Sequence, residues 1–254
     1  MTAHIVLAHP EPRSFNATLA AASARALAAA GWETTVSDLY AMGFDAREGP
    51  AHFRARANPD AFHAQTEQRF SANAGALAPE VADEIERLLS CDLLVVHFPL
   101  WWFGMPAILK GWMDRVFVYG RVYRSAMRYD AGICAGKKMI ACVTTGADAD
   151  ACAHNGREGD TRLHLWPILY PFRYLGFSVY EAEVLHGIGG VGAAAESGAL
   201  DAKAARWEAA LASLSERPMI RYNRDDDFDA RKRLRPDAPT HSPFIRQAPK
   251  ATRE

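Results

Sequence analysis

Residues 92–118 of this 254-residue chain read DLLVVHFPLWWFGMPAILKGWMDRVFV. The first part, Asp92–His97, is almost continuously apolar, a pattern typical of a strand buried on both faces of a sheet. Three adjacent aromatic residues follow it: Trp101, Trp102 and Phe103. Gly104 predicts a tight bend and Pro106 predicts the start of a helix. The segment therefore predicts a buried strand that passes through an aromatic turn into a helix.

The aromatic turn has two possible explanations. Flat apolar side chains on an exposed turn either pack beneath a neighbouring loop or provide a platform for a flat ligand. The residue types alone leave both explanations open.

The rest of the chain repeats the alternation of short apolar runs with longer amphipathic runs. The other predicted strands are His4–His9, Glu33–Asp38, Lys138–Thr144 and Phe177–Leu185. The predicted helices are Phe15–Ala30, Pro79–Ser90, Pro106–Tyr119, residues 160–174 and Ala199–Ser213. Pro167 and Pro171 predict that the helix at 160–174 is broken. The alternation predicts an α/β fold with a parallel sheet between two helical layers, whose ligands bind at the carboxyl ends of the strands.

Two stretches fall outside this alternation. Residues 41–78 form a long excursion, and residues 216–254 hold five of the 14 prolines together with mixed charge runs. Segments of this length serve a lid, a binding site or a partner contact, or else they are disordered. We predict a main domain over residues 1–215 and a C-terminal arm over residues 216–254.

The composition argues against several classes of protein. Lys and Arg number 29 against 30 Asp and Glu, a balance that gives no broad attraction to nucleic acid. No apolar run reaches the roughly 20 residues of a membrane span, and the first ten residues lack the regions of a signal peptide. The cysteines form no CxxC pair and the nine histidines show no metal-binding spacing. We therefore expect a cytoplasmic protein without a metal site.

The turn after the first strand, residues 9–18, reads HPEPRSFNAT. It leads into a helix, whose N-terminus attracts anions such as phosphate. The side chains that add hydrogen-bonding capacity or positive charge are His9, Arg13, Ser14, Asn16 and Thr18. Because this is the first strand-to-helix turn of the predicted sheet, it favours a phosphate site over the alternative, a plain N-cap at Ser14.

The turn after the fourth predicted strand is Thr144-Thr145-Gly146-Ala147. Two hydroxyls and a glycine that permits close backbone approach suit the polar edge of a planar ring, although they also occur in ordinary turns. Together with the aromatic turn and the phosphate turn, this pattern indicates a flavin.

Two glycine-rich runs do not predict nucleotide sites. Residues 187–192, GIGGVG, match GxGxxG after a strand but lack the further strand and acidic residue that a dinucleotide fingerprint needs. Residues 132–138, GICAGKK, are one residue too short for a P-loop, lack its Ser or Thr and precede their strand. We interpret the first run as a loop near the site and the second as a turn.

The chain resembles the NAD(P)H:quinone oxidoreductase (DT-diaphorase) family of flavodoxin-like flavoproteins, in particular its bacterial members, from about Ile5 to Trp207. The most specific block is residues 98–117, and the supporting blocks are residues 6–9, 14–16, 37–42, 144–146 and 165–168. The resemblance implies a flavodoxin-like, doubly wound five-stranded parallel sheet of order 2-1-3-4-5. It also implies a homodimer with both active sites at the interface.

The same resemblance implies FAD as cofactor, with FMN as the alternative, and NAD(P)H as co-substrate. The implied flavin contacts are His9, Arg13, Ser14, Phe15, Asn16, Thr18, Pro99, Leu100, Trp101, Trp102, Phe103, Thr144, Thr145, Gly146 and Ala147. The implied quinone and nicotinamide contacts are Trp102, Phe103 and Gly146, with Tyr123 and Tyr174 of the partner subunit.

The chain departs from the animal members of the family at two catalytic positions. Cys152 and Glu158 stand where those members carry a tyrosine and a histidine, which are thought to stabilise charge on the flavin as hydride arrives. Arg157 or His154 is a candidate to replace the role of that pair. In the alternative, Glu158 is protonated or its side chain is turned away from the flavin. A second active-site tyrosine of the family is Ser125 here.

We therefore expect a flavin-dependent NAD(P)H:quinone oxidoreductase with a ping-pong mechanism, a small-molecule quinone acceptor and no nucleic-acid or membrane partner. The main alternative is a flavin-binding regulatory or electron-transfer subunit that acts through a protein partner. A further alternative uses residues 187–192 as the nucleotide site of a dehydrogenase without flavin.

Overall fold

The computed structural model describes residues 1–189 and 197–248. Its strands are β1 (Thr2–Leu7), β2 (Glu33–Asp38), β3 (Leu93–Pro99), β4 (Lys138–Thr144), β5 (Ser178–Val179) and β6 (Glu183–Leu185). Its α-helices are α1 (Phe15–Ala29), α2 (Ala64–Asn73), α3 (Pro79–Ser90), α4 (Ala107–Val116), α5 (Thr161–Leu175) and α6 (Ser197–Ala212). The alternation of strands and helices agrees with the sequence prediction.

The strands form one parallel sheet of order β2-β1-β3-β4-β5, and β6 also pairs with β4. This order confirms the predicted flavodoxin-like topology. The prediction of a single fifth strand is wrong, because β5 and β6 are separated at residues 180–182. There the Glu181 amide donates to the Pro218 carbonyl at 3.0 Å, so the arm interrupts the strand.

Alternate side chains of β3 belong to two separate apolar clusters. Leu94 and Val96 pack in one cluster with α3, α4 and α5, whereas Leu93 and Val95 pack in the other with α1 and α6. All four are at most 1% exposed. The burial of both faces explains why this strand is apolar without alternation.

The predicted break at 160–174 is wrong, since α5 continues from Thr161 to Leu175 through Pro167 and Pro171. A proline removes the hydrogen bond to the carbonyl four residues earlier. The carbonyls that lose a partner here belong to Leu163 and Pro167, two exposed residues. Water can hydrate carbonyls at exposed positions, so the helix persists.

Both segments outside the alternation fold onto the domain. In the excursion, Gln68 of α2 donates to the Asp114 carbonyl at 3.2 Å and accepts from the Tyr119 amide at 3.1 Å, which ties α2 to the end of α4. In the arm, the Phe244 ring stacks on Trp166 of α5 at 4.6 Å. Among the described residues, no helix is both long enough and apolar enough to cross a bilayer.

Candidate active site

The register of β3 and β4 brings the aromatic turn and the threonine turn together. The last pair in this register is Pro99 with Thr144, and the Leu100 amide donates to the Thr144 carbonyl at 2.8 Å. Both turns therefore lie at the same carboxyl edge of the sheet, where α/β proteins bind their ligands.

The turn after β1 joins them through a buried side chain. Ser14 is the N-cap of α1, and its hydroxyl accepts from the Ala17 amide at 3.2 Å. In the first turn of the helix, the Asn16 side-chain amide donates to the Thr144 hydroxyl at 2.8 Å. The three stretches that sequence reasoning singled out thus meet at one place.

The aromatic turn has a backbone conformation that bulky residues seldom adopt. Trp101 and Gly104 exchange two backbone hydrogen bonds, at 2.9 and 3.0 Å. The two residues between them have positive φ, 51° at Trp102 and 60° at Phe103. This conformation costs about 1–2 kcal/mol per non-glycine residue, so it suggests a functional constraint. The bend lies at these two residues and not at Gly104, which sequence reasoning had favoured.

The exposure of the turn separates the two explanations given above. Trp102 is 96% exposed and Phe103 is 51% exposed, so neither is packed beneath a loop. Trp101 is 41% exposed and has its ring 5.8 Å from that of His9. The turn therefore presents a platform.

A cavity of about 250 Å³ lies beside the platform. Its lining consists of Leu100, Trp102, Phe103, Thr145, Gly146, Ala147, Cys152, Glu158, Gly159, Thr161 and His164. The aromatic wall comes from the turn after β3, and the polar wall comes from the turn after β4, the loop before α5 and the first turns of α5. We call this space the platform cavity.

Two local features fit a flavin here. Asn16 is 3% exposed, and its Oδ1 atom has no hydrogen-bond partner among the described residues. A Cβ added to Gly146 would meet nothing within 4 Å, so this position opens onto free space. A buried acceptor and an open backbone suit a planar group with hydrogen-bonding edges.

The Thr145 hydroxyl is engaged within the protein. It donates to the Ala147 carbonyl at 2.8 Å, so the His186 Nδ1 atom, 2.9 Å away, must donate to it. Burial, followed by the charge of Arg206, lowers the pKa of His186. Sequence reasoning missed His186, although its place directly after the last strand was a signal.

The turn after β1 keeps most of its backbone donors for itself. Pro10 and Pro12 have no amide N–H, the Glu11 amide donates to His9 Nδ1 at 3.1 Å, and the Arg13 amide donates to the Glu11 carboxylate at 2.9 Å. Burial lowers the pKa of His9 and outweighs the opposing effect of Glu11. The Arg13 side chain is 91% exposed, whereas the Thr18 hydroxyl donates to the Ser14 carbonyl at 3.3 Å.

Tyr123 and Tyr174 do not line the platform cavity of their own chain. Their rings contact each other at 5.5 Å, and both line a second cavity of about 710 Å³ between α2, α4 and α5. The Gln65 side chain donates to the Tyr123 hydroxyl at 3.0 Å. We call this space the aromatic groove.

The two catalytic candidates both reach the platform cavity. Cys152 is 8% exposed, and its carbonyl accepts from the amide and the hydroxyl of Thr161, both at 3.3 Å. The Glu158 carboxylate pairs with Arg157 at 3.1 Å, and its carbonyl is 2.9 Å from the His164 Nε2 atom. His164 is a lining residue that sequence reasoning did not identify. His154 is exposed and is not among the lining residues.

The described parts of the two glycine-rich runs, residues 187–189 and 132–137, lie in loops or turns. The Gly187 and Ile188 amides donate to the Ala147 and Thr145 carbonyls, at 2.9 and 2.8 Å, which places the start of this run beside the site. Residues 190–192 of the run lie outside the described residues. Residues 132–137 form a turn before β4. Over the ranges that the structure covers, no group of three or more His, Cys, Asp and Glu could hold a metal ion.

Comparisons with other proteins agree with this geometry. The family model for the flavodoxin-like fold matches residues 1–211. Ribosyldihydronicotinamide dehydrogenase (quinone) of Pongo abelii is 40% identical over 182 residues, which are 71% of this chain and 79% of that protein. NAD(P)H dehydrogenase (quinone) 1 of Cavia porcellus is 40% identical over 187 residues, which are 73% and 68% of the two chains. A Klebsiella pneumoniae crystal structure, provisionally described as a quinone reductase, has 30% identity and a TM-score of 0.87, and the match covers 98% of this chain and 100% of that one.

Proposed function

This chain belongs to the flavodoxin-like fold family and is an oxidoreductase of the NAD(P)H dehydrogenase (quinone) type, and we propose that it passes two electrons from NAD(P)H to a quinone by a ping-pong mechanism on a bound flavin. The observation that carries this proposal is the junction of three turns, in which Thr144 accepts hydrogen bonds from Leu100 and Asn16 beside an exposed aromatic platform.

The flavin, when bound, supplies the two-electron redox chemistry. The side chains and backbone of the protein would hold the flavin and its substrates in position. Trp102 and Phe103 would stack on the flavin ring, and the amides of Gly146 and Ala147, which have no partner among the described residues, would donate to its polar edge. NAD(P)H and the quinone occupy the same aromatic slot in turn. The remaining proposed flavin contacts are those that the family resemblance implies: His9, Arg13, Ser14, Phe15, Asn16, Thr18, Pro99, Leu100, Trp101, Thr144 and Thr145.

The turn after β1 supports FAD over FMN. A terminal phosphate monoester carries nearly two charges and is usually held by several free backbone amides. Residues 10–14 offer none, because two are prolines and the amides of Glu11, Arg13 and Ser14 are used internally. A diphosphate linkage, with one charge per phosphate, needs fewer donors. The amides of Phe15 and Asn16 and the nearby side chains suffice for it.

We also propose that the protein is a homodimer in which Tyr123 and Tyr174 of the partner subunit close the platform cavity. In support, these tyrosines line an aromatic groove that is apart from the platform of their own chain, while Trp102 is almost fully exposed. A cytoplasmic location is supported by the four cysteines, which are all buried free thiols, as in proteins of reducing compartments.

The first experiment identifies the cofactor. Purified protein is denatured, the released cofactor is identified by chromatography, and NAD(P)H consumption is then measured with a quinone. We expect FAD and quinone-dependent turnover. A colourless protein would contradict the flavin site and favour a nucleotide site near residues 187–192. Bound flavin without quinone-dependent NAD(P)H consumption would favour a regulatory or electron-transfer subunit.

The second experiment tests the platform. Replacement of both Trp102 and Phe103 by Ala removes exposed side chains, so we expect the melting temperature to change little and turnover to fall by at least about 100-fold. Unchanged quinone reduction in the double variant would contradict the role of the platform.

A further inference from the structure

His164 lies on the wall of the platform cavity, in the first turns of α5. Its ring is 5.1 Å from the ring of Phe103, at an interplanar angle of 41°. The imidazole therefore faces the same space as the aromatic platform, in which the proposed acceptor would lie.

The ring has one nitrogen that is held and one that is available. Nε2 is 2.9 Å from the carbonyl oxygen of Glu158. A carbonyl only accepts, so Nε2 carries a hydrogen, and within the part of the chain that the structure describes Nδ1 makes no hydrogen bond. The ring can therefore gain or lose a proton at Nδ1 while the Nε2 bond keeps its orientation.

The other titratable groups on the cavity wall are less suited to proton transfer at neutral pH. A thiol such as that of Cys152 is a weak hydrogen-bond donor, and an ionised carboxylate only accepts. The Glu158 carboxylate is also paired with Arg157 at 3.1 Å. The N-cap residue of α5, Asp160, is paired with Arg162 at 3.0 Å.

We propose that His164 is the proton donor to the acceptor in the platform cavity, an inference that rests on the proposed function. Reduction of a quinone to a hydroquinone requires a hydride and one proton. The flavin, when bound, would supply the hydride that NAD(P)H provides. The proton comes from Nδ1 of the imidazolium, whose N–H bond breaks as an O–H bond forms on a quinone oxygen. NAD(P)⁺ leaves before the quinone binds, the hydroquinone leaves after the proton transfer, and solvent returns a proton to Nδ1.

The test separates the two half-reactions by stopped flow. In His164→Gln the side-chain amide can still donate to the Glu158 carbonyl but cannot titrate. We expect the rate at which NAD(P)H reduces the bound flavin to stay as in the wild type. The rate of reoxidation by quinone should fall by about 100-fold near neutral pH and lose its pH dependence. His241→Gln, at an exposed position of the arm, is the control and should behave as the wild type.

A second measurement does not depend on turnover. In oxidised protein studied by NMR, a bound quinone should shift the ring signal that disappears in His164→Gln. Wild-type protein that reduces no quinone would overturn the proposed function and this proposal with it. Active wild type with an unchanged reoxidation rate in His164→Gln, an equal loss in both half-reactions, or a ring signal that the quinone leaves unshifted would overturn the role of His164 alone. His164→Asn repeats the test if the Gln variant does not fold.

Discussion

The side-chain amide of Asn16 donates a hydrogen bond of 2.8 Å to the hydroxyl of Thr144, a residue 128 positions later in the chain. Both residues are nearly fully buried. This bond ties the start of α1 to the end of β4, directly before the threonine turn that lines the platform cavity, and the buried Asn16 Oδ1 atom has no hydrogen-bond partner among the described residues.

Replacement of Asn16 by Ala tests this bond. The variant leaves the Thr144 hydroxyl without its donor, so we expect the free energy of unfolding to fall by about 1–3 kcal/mol. We also expect the dissociation constant of the flavin to rise by about tenfold, a loss equivalent to about 1.4 kcal/mol. Fluorescence titration of apoprotein with flavin measures it. Asn73→Ala, at an exposed end of α2, is the control, and a wild-type affinity in Asn16→Ala would contradict the assignment.

Glycine at position 102 should stabilise the apoprotein relative to alanine. Trp102 has a φ of 51°, and glycine adopts this conformation without the penalty of about 1–2 kcal/mol that other residues incur. Because Trp102→Gly and Trp102→Ala both lack the indole, their difference isolates the backbone effect. We expect Trp102→Gly to be more stable by about 1 kcal/mol in chemical unfolding.

The same pair of substitutions at Asp201, an exposed position in α6, provides the control. There the order should reverse, since glycine destabilises a helix by about 1 kcal/mol relative to alanine. If the alanine variant were the more stable one at position 102 as well as at position 201, the turn would not be strained.

Stability should decrease in acid because of His97. This side chain is fully buried, and burial lowers the pKa of its imidazole to about 3, from 6.5. Between these values the unfolded chain binds a proton that the folded chain does not. The free energy of unfolding therefore falls by up to about 1.4 kcal/mol for each unit that the pH drops through this window. Urea unfolding at a series of pH values measures the slope.

In His97→Gln this part of the slope should be absent. The substitution also disturbs the bond between His97 Nε2 and the Ser23 hydroxyl, at 2.9 Å, so only the slope and not the absolute stability is compared. His154→Gln keeps the buried imidazole and should retain the wild-type slope. An unchanged slope in His97→Gln would assign the acid sensitivity to other groups.

Mixed dimers test whether two subunits build one site. A chain with Ala at both Trp102 and Phe103 is mixed with a chain with Ala at both Tyr123 and Tyr174, after each is shown to be inactive. Random exchange of equal amounts makes half of the dimers mixed. If the platform of one subunit works with the tyrosines of the other, each mixed dimer has one intact site out of two. We expect about a quarter of the wild-type activity after subunit exchange. No recovery, with mixed dimers confirmed by native mass spectrometry, would contradict the shared site.

The sequence by itself determined the layers of the fold and indicated the edge of the sheet at which the candidate site lies. Strand β3 is apolar without alternation because both of its faces are covered, and that property is visible in Leu93–Val96 alone. The three turns were predictable because each directly follows a strand, and the ends of parallel strands share one edge. Family resemblance then supplied the order of the strands, which the register confirms.

Tertiary structure alone decided the details of the site. The positive φ angles of Trp102 and Phe103 depend on backbone bonds that local residue preferences oppose. The arm divides β5 from β6 by a contact from Pro218, and His164 reaches the cavity only because α5 packs beside the platform. Local periodicity reports which face of an element is buried. It carries no information about which distant side chain meets that face, because such a contact depends on the packing of whole elements.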